Sequence, residues 1–302
     1  MSPAHTSSPA SGSIRPEYPA PSHFLVHISD AHVGWLPGGV HGGIDAAANL
    51  KQLLDGLVSS DARPGAIVFT GDLTNHGDAG SYATLKQLVE PAAEAMGARI
   101  IWTMGNHDDR ENLRAALLGV PGNATSLDET YLVDGLRIVT LDTTVPGFHH
   151  GEVSDEQLRW LASELSEPAP HGTILAMHHP PIPSVLDLAV MVELRGQPRL
   201  ADVLRGTDVR SILAGHLHYS TTATFAGIPV SVAAASCYTQ DLNAPAGRSR
   251  GRDAGQAYSR VHVFDHTVVH SVVPVAAGVT VGEYLTPEQA AGRISAAGIR
   301  LR

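Results

Sequence analysis

The chain has 302 residues and is poor in cysteine, in aromatic side chains and in charge. Its one cysteine, Cys237, excludes an internal disulfide and fits a reducing compartment. Aromatic residues make up 5%, so aliphatic side chains must fill the core. No stretch approaches the roughly 18 consecutive apolar residues of a membrane-spanning helix. The first 22 residues lack the basic and apolar regions of a secretory signal. They are rich in Ser, Pro and Ala, and read as a disordered tail over 1–22. A cytoplasmic protein without a transmembrane segment is the expectation. Positive charge is also short: the formal net charge is −10 with the 17 histidines neutral. Broad attraction for a nucleic-acid backbone is therefore excluded, and no stable nucleic-acid partner is expected.

What is present suits a globular fold. Hydrophobic residues reach 43%, and neither a repeat nor a linker divides residues 23–302, which read as a single domain. Strands and helices alternate. FLVHIS, AIVFT (66–70), IIWTM (100–104), RIVTLD (137–142), TILAMH (173–178) and SILAG (211–215) are short apolar runs of the buried-strand type. Between them lie helical patterns after Asp45, from Ser81 to Met96, and after Ser154, where Gln157 completes a capping box. From Thr221 onward the pattern changes to antiparallel strands, with a Gly/Arg-rich loop from Asn243 to Gln256. A last helix is expected over Pro287 to Ala296.

Polar residues gather just past the strands' C-terminal ends. These are Asp30-Ala31-His32, Gly71-Asp72, Gly105-Asn106-His107-Asp108, His178-His179 and Gly215-His216-Leu217-His218. Open α/β sheets bind ligands at this edge. In extended chain, residues i and i+2 point to one side, so Asp30 and His32 can converge on one ion. His216 and His218 can share one centre or serve two. Neighbours point apart, so of Asn106 and His107, and of His178 and His179, one ligates while the other faces elsewhere. Two carboxylates, one amide and four imidazoles suit Mn, Fe or Zn better than Ca or Mg. Seven ligands are too many for one ion and suit two divalent metal ions that share a carboxylate. Histidines elsewhere (His5, His23, His41, His171, His262, His266 and His270) read as surface or satisfied polar residues. Gly38-Gly39 and Gly42-Gly43 lack a phosphate-loop pattern and read as a turn. Arg248, Arg250 and Arg252 read as a solvated loop.

The ordered set D-x-H, G-D, G-N-H-D, H-H and G-H-x-H resembles the calcineurin-like metallophosphoesterases. The segments HISDAHVG, IVFTGDL, MGNHDDR, LDTTVPG, HHPPIP, LAGHLHYS and SCYTQDL are similar to mycobacterial-type class III cyclic nucleotide phosphodiesterases, over roughly Leu25 to Leu285. The resemblance implies a four-layer α/β/β/α sandwich and often a homodimer. It implies that Asp30, His32 and His218 hold one metal, that Asn106, His178 and His216 hold the other, and that Asp72 bridges them. His107 would be the catalytic residue beside the substrate, with Asn106 also touching it. Many relatives carry an acid three residues after the bridging Asp, supporting the histidine of G-N-H. Here Asn75 stands there; it can hydrogen-bond an imidazole but cannot stabilise an imidazolium by charge.

The expected reaction is hydrolysis of a small phosphodiester, including 3′,5′-cAMP and 2′,3′-cyclic nucleotides, by in-line attack of a metal-bridging hydroxide. Two such ions leave the site positive by about one charge, which favours an anionic ester inside an acidic protein. The alternatives are a phosphomonoesterase or nuclease of the same fold, and a non-enzymatic metal-dependent binding module.

Overall fold

The structure, a computed structural model, describes residues 15–34, 43–276, 278–279 and 281–300. Residues 1–14 of the expected disordered tail lie outside the described residues, as do Gly38, Gly39, His41 and Gly42. The chain forms two compact units. One spans Ser22–Ala276; the other takes in the described residues before and after it and contains the helix Pro287–Ala296.

Elements are numbered in chain order. The larger unit is built on two mixed sheets. In the first, β1 (His23–Ile28), β2 (Ala66–Thr70) and β3 (Arg99–Thr103) run parallel. The hairpin β12 (Ala257–Val263) and β13 (Val268–Pro274) continues it, β12 pairing antiparallel with β1. In the second, β5 (Leu136–Leu141), β6 (Thr173–Met177), β7 (Val209–Ala214) and β9 (Ile228–Val232) run parallel. Antiparallel β4 (Glu129–Val133) and β8 (Thr221–Phe225) form its two edges.

Alternation along the strands makes the layers. On the first sheet Val26, Ile28, Ile67, Phe69 and Trp102 face outward and pack on α1 (Ala46–Ser59) and α2 (Ala79–Met96) through Leu50, Leu54, Leu57, Leu85 and Val89. The alternate residues Leu25, Ala66, Val68 and Ile101 meet Ile138, Ile174, Ala176 and Leu213 of the second sheet. The other face of that sheet, with Val139, Leu175 and Ile212, takes Leu158 and Leu161 of α4 (Asp155–Glu164) and Leu200 and Leu204 of α5 (Gln197–Leu204). A strand buried on both faces must be apolar at most positions, which is why these runs show little polar alternation. The result is the four-layer α/β/β/α sandwich.

Caps set the helix starts. Asp45 accepts from Ala48 N at 2.9 Å, and Ser154 and Gln157 form the reciprocal capping box. Helix α2 begins two residues before Ser81, because Asp78 supplies its N-cap. The expected loop 243–256 is also partly ordered: β10 (Thr239–Gln240) pairs with β11 (Gly251–Arg252). Arg250 and Arg252 are not simply solvated there; both reach the carboxylate of Asp241. A short α3 (Arg110–Leu113) follows the third strand end and runs into a π-helical turn over Arg114–Leu118.

Candidate metal centre

The C-terminal ends of β1, β2, β3, β6 and β7 meet where the two sheets abut, and each delivers one of the expected polar blocks. The backbone there is not extended. Asp30, His32, Asp72, His216 and His218 all lie in the left-handed region, with φ of 52°, 43°, 47°, 71° and 55°. Such residues turn the chain sharply, at a cost of about 1–3 kcal/mol each, and are held there by their surroundings. Asp30 and His32 bring their ligand atoms within 4.8 Å of each other, but by left-handed turns and not by the expected extended chain. His216 and His218 diverge, His216 towards His178 and His218 towards His32.

Four imidazoles share one design. His32 Nδ1 is 3.2 Å from Asn75 Oδ1, His178 Nδ1 is 2.7 Å from Thr70 O, His216 Nε2 is 2.8 Å from Val192 O and His218 Nδ1 is 3.1 Å from Tyr238 O. Each outer nitrogen thus donates its proton to a protein oxygen, so each inner nitrogen can present a lone pair to a cation. The inner nitrogens face one another in two pairs: His32 with His218 at 3.2 Å, and His178 with His216 at 3.1 Å. Asp72 stands between the pairs, with Oδ2 3.4 Å from His32 Nε2 and 3.3 Å from His178 Nε2. Its Oδ1 accepts from His107 N at 2.8 Å. Asp30 Oδ1 lies 3.3 Å from His218 Nε2. Asn106 Oδ1 lies 3.1 Å from His178 Nε2, while its amide nitrogen is 3.0 Å from His149 Nδ1. His149 therefore fixes which end of the Asn106 amide faces inward.

Lone pairs held face to face by outward hydrogen bonds fit a cation, and nitrogen and oxygen donors without thiolate fit a divalent transition ion. The ligand atoms of Asp30, His32, Asp72 and His218 all lie within 4.8 Å of one another. The carboxylates call for positive charge. Burial would lower His178, but the Asp72 carboxylate outweighs it and holds the ring at about 9. His218 is raised in the same way, with Asp30 outweighing burial. Burial keeps His32 near 3 and His216 near 4. A bound cation supplies the charge that protons supply at His178 and His218 without it.

Neighbouring residues stand apart from this set. Both ring nitrogens of His179 are taken, by Thr143 Oγ1 at 2.7 Å and His149 O at 3.1 Å, so it braces the loop. His150 pairs with Glu152 at 3.1 Å. His107 Nδ1 donates to the backbone oxygen of Asn75 at 3.1 Å. The side chain of Asn75 serves His32 instead, so the expected support of the G-N-H histidine comes from a main-chain carbonyl. Asp108 closes the G-N-H-D block. It accepts from Leu73 N, Thr74 N, Gly105 N and the Tyr82 hydroxyl at 2.9–3.1 Å, tying the loop after β2 to the loop after β3. Burial, and then Asp72, push its carboxyl up to about 6. A cavity of about 630 Å³ opens over the centre and is lined by Asn75, His76, His107, His149, Tyr238 and Gln240 as well as ligand candidates. Tyr238 and Gln240 carry no ligand-type motif, so spacing alone could not single them out.

Fold and site define a metal-dependent phosphoester hydrolase, and the comparisons agree. The family model of the calcineurin-like phosphoesterases matches residues 25–220, and the chain belongs to that family, whose members use a dinuclear metal centre. It is 60% identical to a probable cyclic nucleotide phosphodiesterase of Rhodococcus erythropolis, over 94% of each chain. It is 57% identical to a cAMP/cGMP dual specificity phosphodiesterase of Mycobacterium tuberculosis, over 94% of this chain and 89% of the relative. Its fold is similar to that of a dimetal phosphatase from Danio rerio, with a TM-score of 0.61 and 14% identity over 85% of this chain and 97% of that one.

Proposed function

We propose that the protein hydrolyses phosphodiesters, cyclic nucleotides among them, at a dinuclear metal centre. The observation that carries this is the two sets of inward lone pairs with Asp72 Oδ2 between them. In this reading Asp30, His32 and His218 hold one ion, Asn106, His178 and His216 hold the other, and Asp72 serves both. Mn, Fe or Zn suits these donors. When bound, two such ions polarise the phosphoryl oxygens and supply a nucleophile at neutral pH.

The chain's own groups do the rest. The outward hydrogen bonds fix the orientation of the four imidazole rings before anything binds, so little reorganisation remains at the moment of reaction. His107 is positioned by its backbone N–H on Asp72 and its Nδ1 on Asn75 O, which leaves Nε2 for the leaving oxygen. As an imidazolium, with one N–H on Asn75 O and the other at Nε2, it would give the Nε2 proton to the departing alkoxide and be left as a neutral imidazole. Asn106 and His107 flank the substrate phosphate. The names of the two close relatives support 3′,5′-cyclic nucleotides as substrates, and 2′,3′-cyclic forms present the same diester. A cytoplasmic homodimer belongs to the same reading, and light scattering reads the oligomeric part of it.

The test is a panel. Purified, Mn-loaded protein is offered 3′,5′-cAMP, a bis-aryl phosphate and a mono-aryl phosphate. Turnover of cAMP and the diester is expected. Cleavage of the monoester alone would overturn the reading in favour of a phosphomonoesterase.

A further inference from the structure

The metal-centre cavity does not end at the metal ligands. Val192 and His216 line it, and the same two residues line a second cavity of about 310 Å³. His216 Nε2 donates to Val192 O at 2.8 Å, so this shared wall is a fixed feature. The second cavity is walled by Ile182, Leu186, Ala189 and Val190. It shares Leu186 and Asp187 with a third cavity of about 430 Å³ that reaches Leu242. The three cavities therefore lie side by side, from the reacting centre along the short 3₁₀ helix Asp187–Met191. Apolar side chains on that helix are left in water: Val190 is 64% exposed and Met191 63%. Asp187 and Glu193 are the acidic residues lining the second cavity, which no Lys or Arg lines among the described residues; Arg248 lines the third, farther from the centre.

We propose that this recess binds the uncharged, apolar alcohol half of a linear phosphodiester whose phosphorus sits at the metal centre. The proposal rests on the phosphodiesterase reading and names a substrate class within it. A linear diester has two ester substituents, and an anchored phosphate obliges one of them to lie against the wall nearest the ligands. Val192 and His216 form such a wall, and the surface beyond it is apolar. In the second cavity the two acids repel a second phosphate or another anion, so the group that occupies it is neutral. A cyclic nucleotide carries one phosphate closed on its own ribose and leaves the recess unfilled. Binding energy from such a remote group can be used at the reacting centre, so it appears in kcat/KM.

The experiment uses Mn-loaded protein and the methyl, butyl and hexyl esters of 4-nitrophenyl phosphate. Calorimetry on the matching alkyl methylphosphonates gives an independent Kd. Expected is a gain in kcat/KM of about two- to fourfold per added methylene until the recess fills, with Kd falling in parallel. Val190→Asp and Ala189→Trp, one charging the recess and the other filling it, should each flatten that dependence. Val190 is exposed, so its substitution does not threaten the fold. Turnover of the methyl ester with no gain along the series overturns the recess and leaves the phosphodiesterase reading standing. A protein that turns over no diester overturns both. If Ala189→Trp raises KM for cAMP as much as for the hexyl ester, a nucleobase occupies the recess and the proposal is wrong.

Discussion

At the scale of single residues, the centre depends on what stands behind each ligand as much as on the ligands. Asn106 and His107 are neighbours with separate duties, and alanine separates them. Asn106→Ala removes an inward oxygen and should lower metal occupancy from two ions to about one per chain, read by elemental analysis. His107→Ala keeps every inward donor, so both ions should stay while kcat falls about 10²–10⁴-fold. Loss of both ions in His107→Ala would show that its backbone contact to Asp72 needs the side chain in place. Asn75 offers a finer test. Its amide oxygen, not a carboxylate, receives His32 Nδ1 at 3.2 Å. Asn75→Asp should raise the basicity of His32 and tighten metal binding about tenfold in a calorimetric titration of metal-free protein. Because a main-chain carbonyl holds His107, the same substitution should leave kcat of the metal-loaded protein unchanged. A fall in kcat would mean that the side chain at 75 reaches His107 after all.

At the scale of elements, glycines set how closely the strand ends approach. A Cβ on Gly105 would meet Asp72 N at 2.0 Å and Asp72 Oδ1 at 2.3 Å, so backbone would have to move. Gly105→Ala should therefore cost about 2 kcal/mol or more by denaturant titration and weaken metal binding with it. Gly56, inside α1 with nothing within 4 Å of its Cβ position, is the control. Gly56→Ala should stabilise by about 0.5–1 kcal/mol. Equal effects would mean that the crowding at Gly105 is relieved cheaply. These strand ends were also where the sequence was most legible. A doubly buried strand must be a short apolar run, and a ligand must be one of few residue types, so β1, β2, β3, β6 and β7 announced both themselves and their cargo. The left-handed turns at Asp30, His32, Asp72, His216 and His218 did not show, because no local signal demands φ > 0 at Asp or His. Nor did the split between His216 and His218, which the turns decide. The edge strand β4 and the helix α5 lacked clean periodicity. Asn75 facing His32 depends on how two loops lie together, which residue spacing does not encode.

At the scale of the whole molecule, the interface between the sheets responds to a change of pH. It is apolar along most of its length but encloses two histidines. His27 Nε2 meets Thr70 Oγ1 at 2.8 Å within the first sheet, and His270 Nε2 meets Ser211 Oγ at 2.9 Å across to the second. Burial, reinforced by the nearby His270, brings His27 down to about 3; burial brings His270 to about 4. Both rings are therefore neutral in the folded protein where an unfolded chain, with a histidine pKa near 6.5, takes up protons. The sign follows: the unfolded state binds more protons below about 6.5, so stability rises with pH there and is lost as pH falls towards 4. Each ring contributes up to about 1.4 kcal/mol per pH unit in that window. Metal ligands also titrate on acidification, so the contrast must come from a variant remote from the centre. His270→Asn keeps a polar side chain near Ser211 and removes one of the two titrating groups. The thermal midpoint of the unmodified protein should fall more steeply from pH 6.5 to 4.5 than that of His270→Asn, with the two measured side by side in metal-free buffer. Parallel curves would place the acid sensitivity at the metal ligands and leave the sheet interface indifferent to protons.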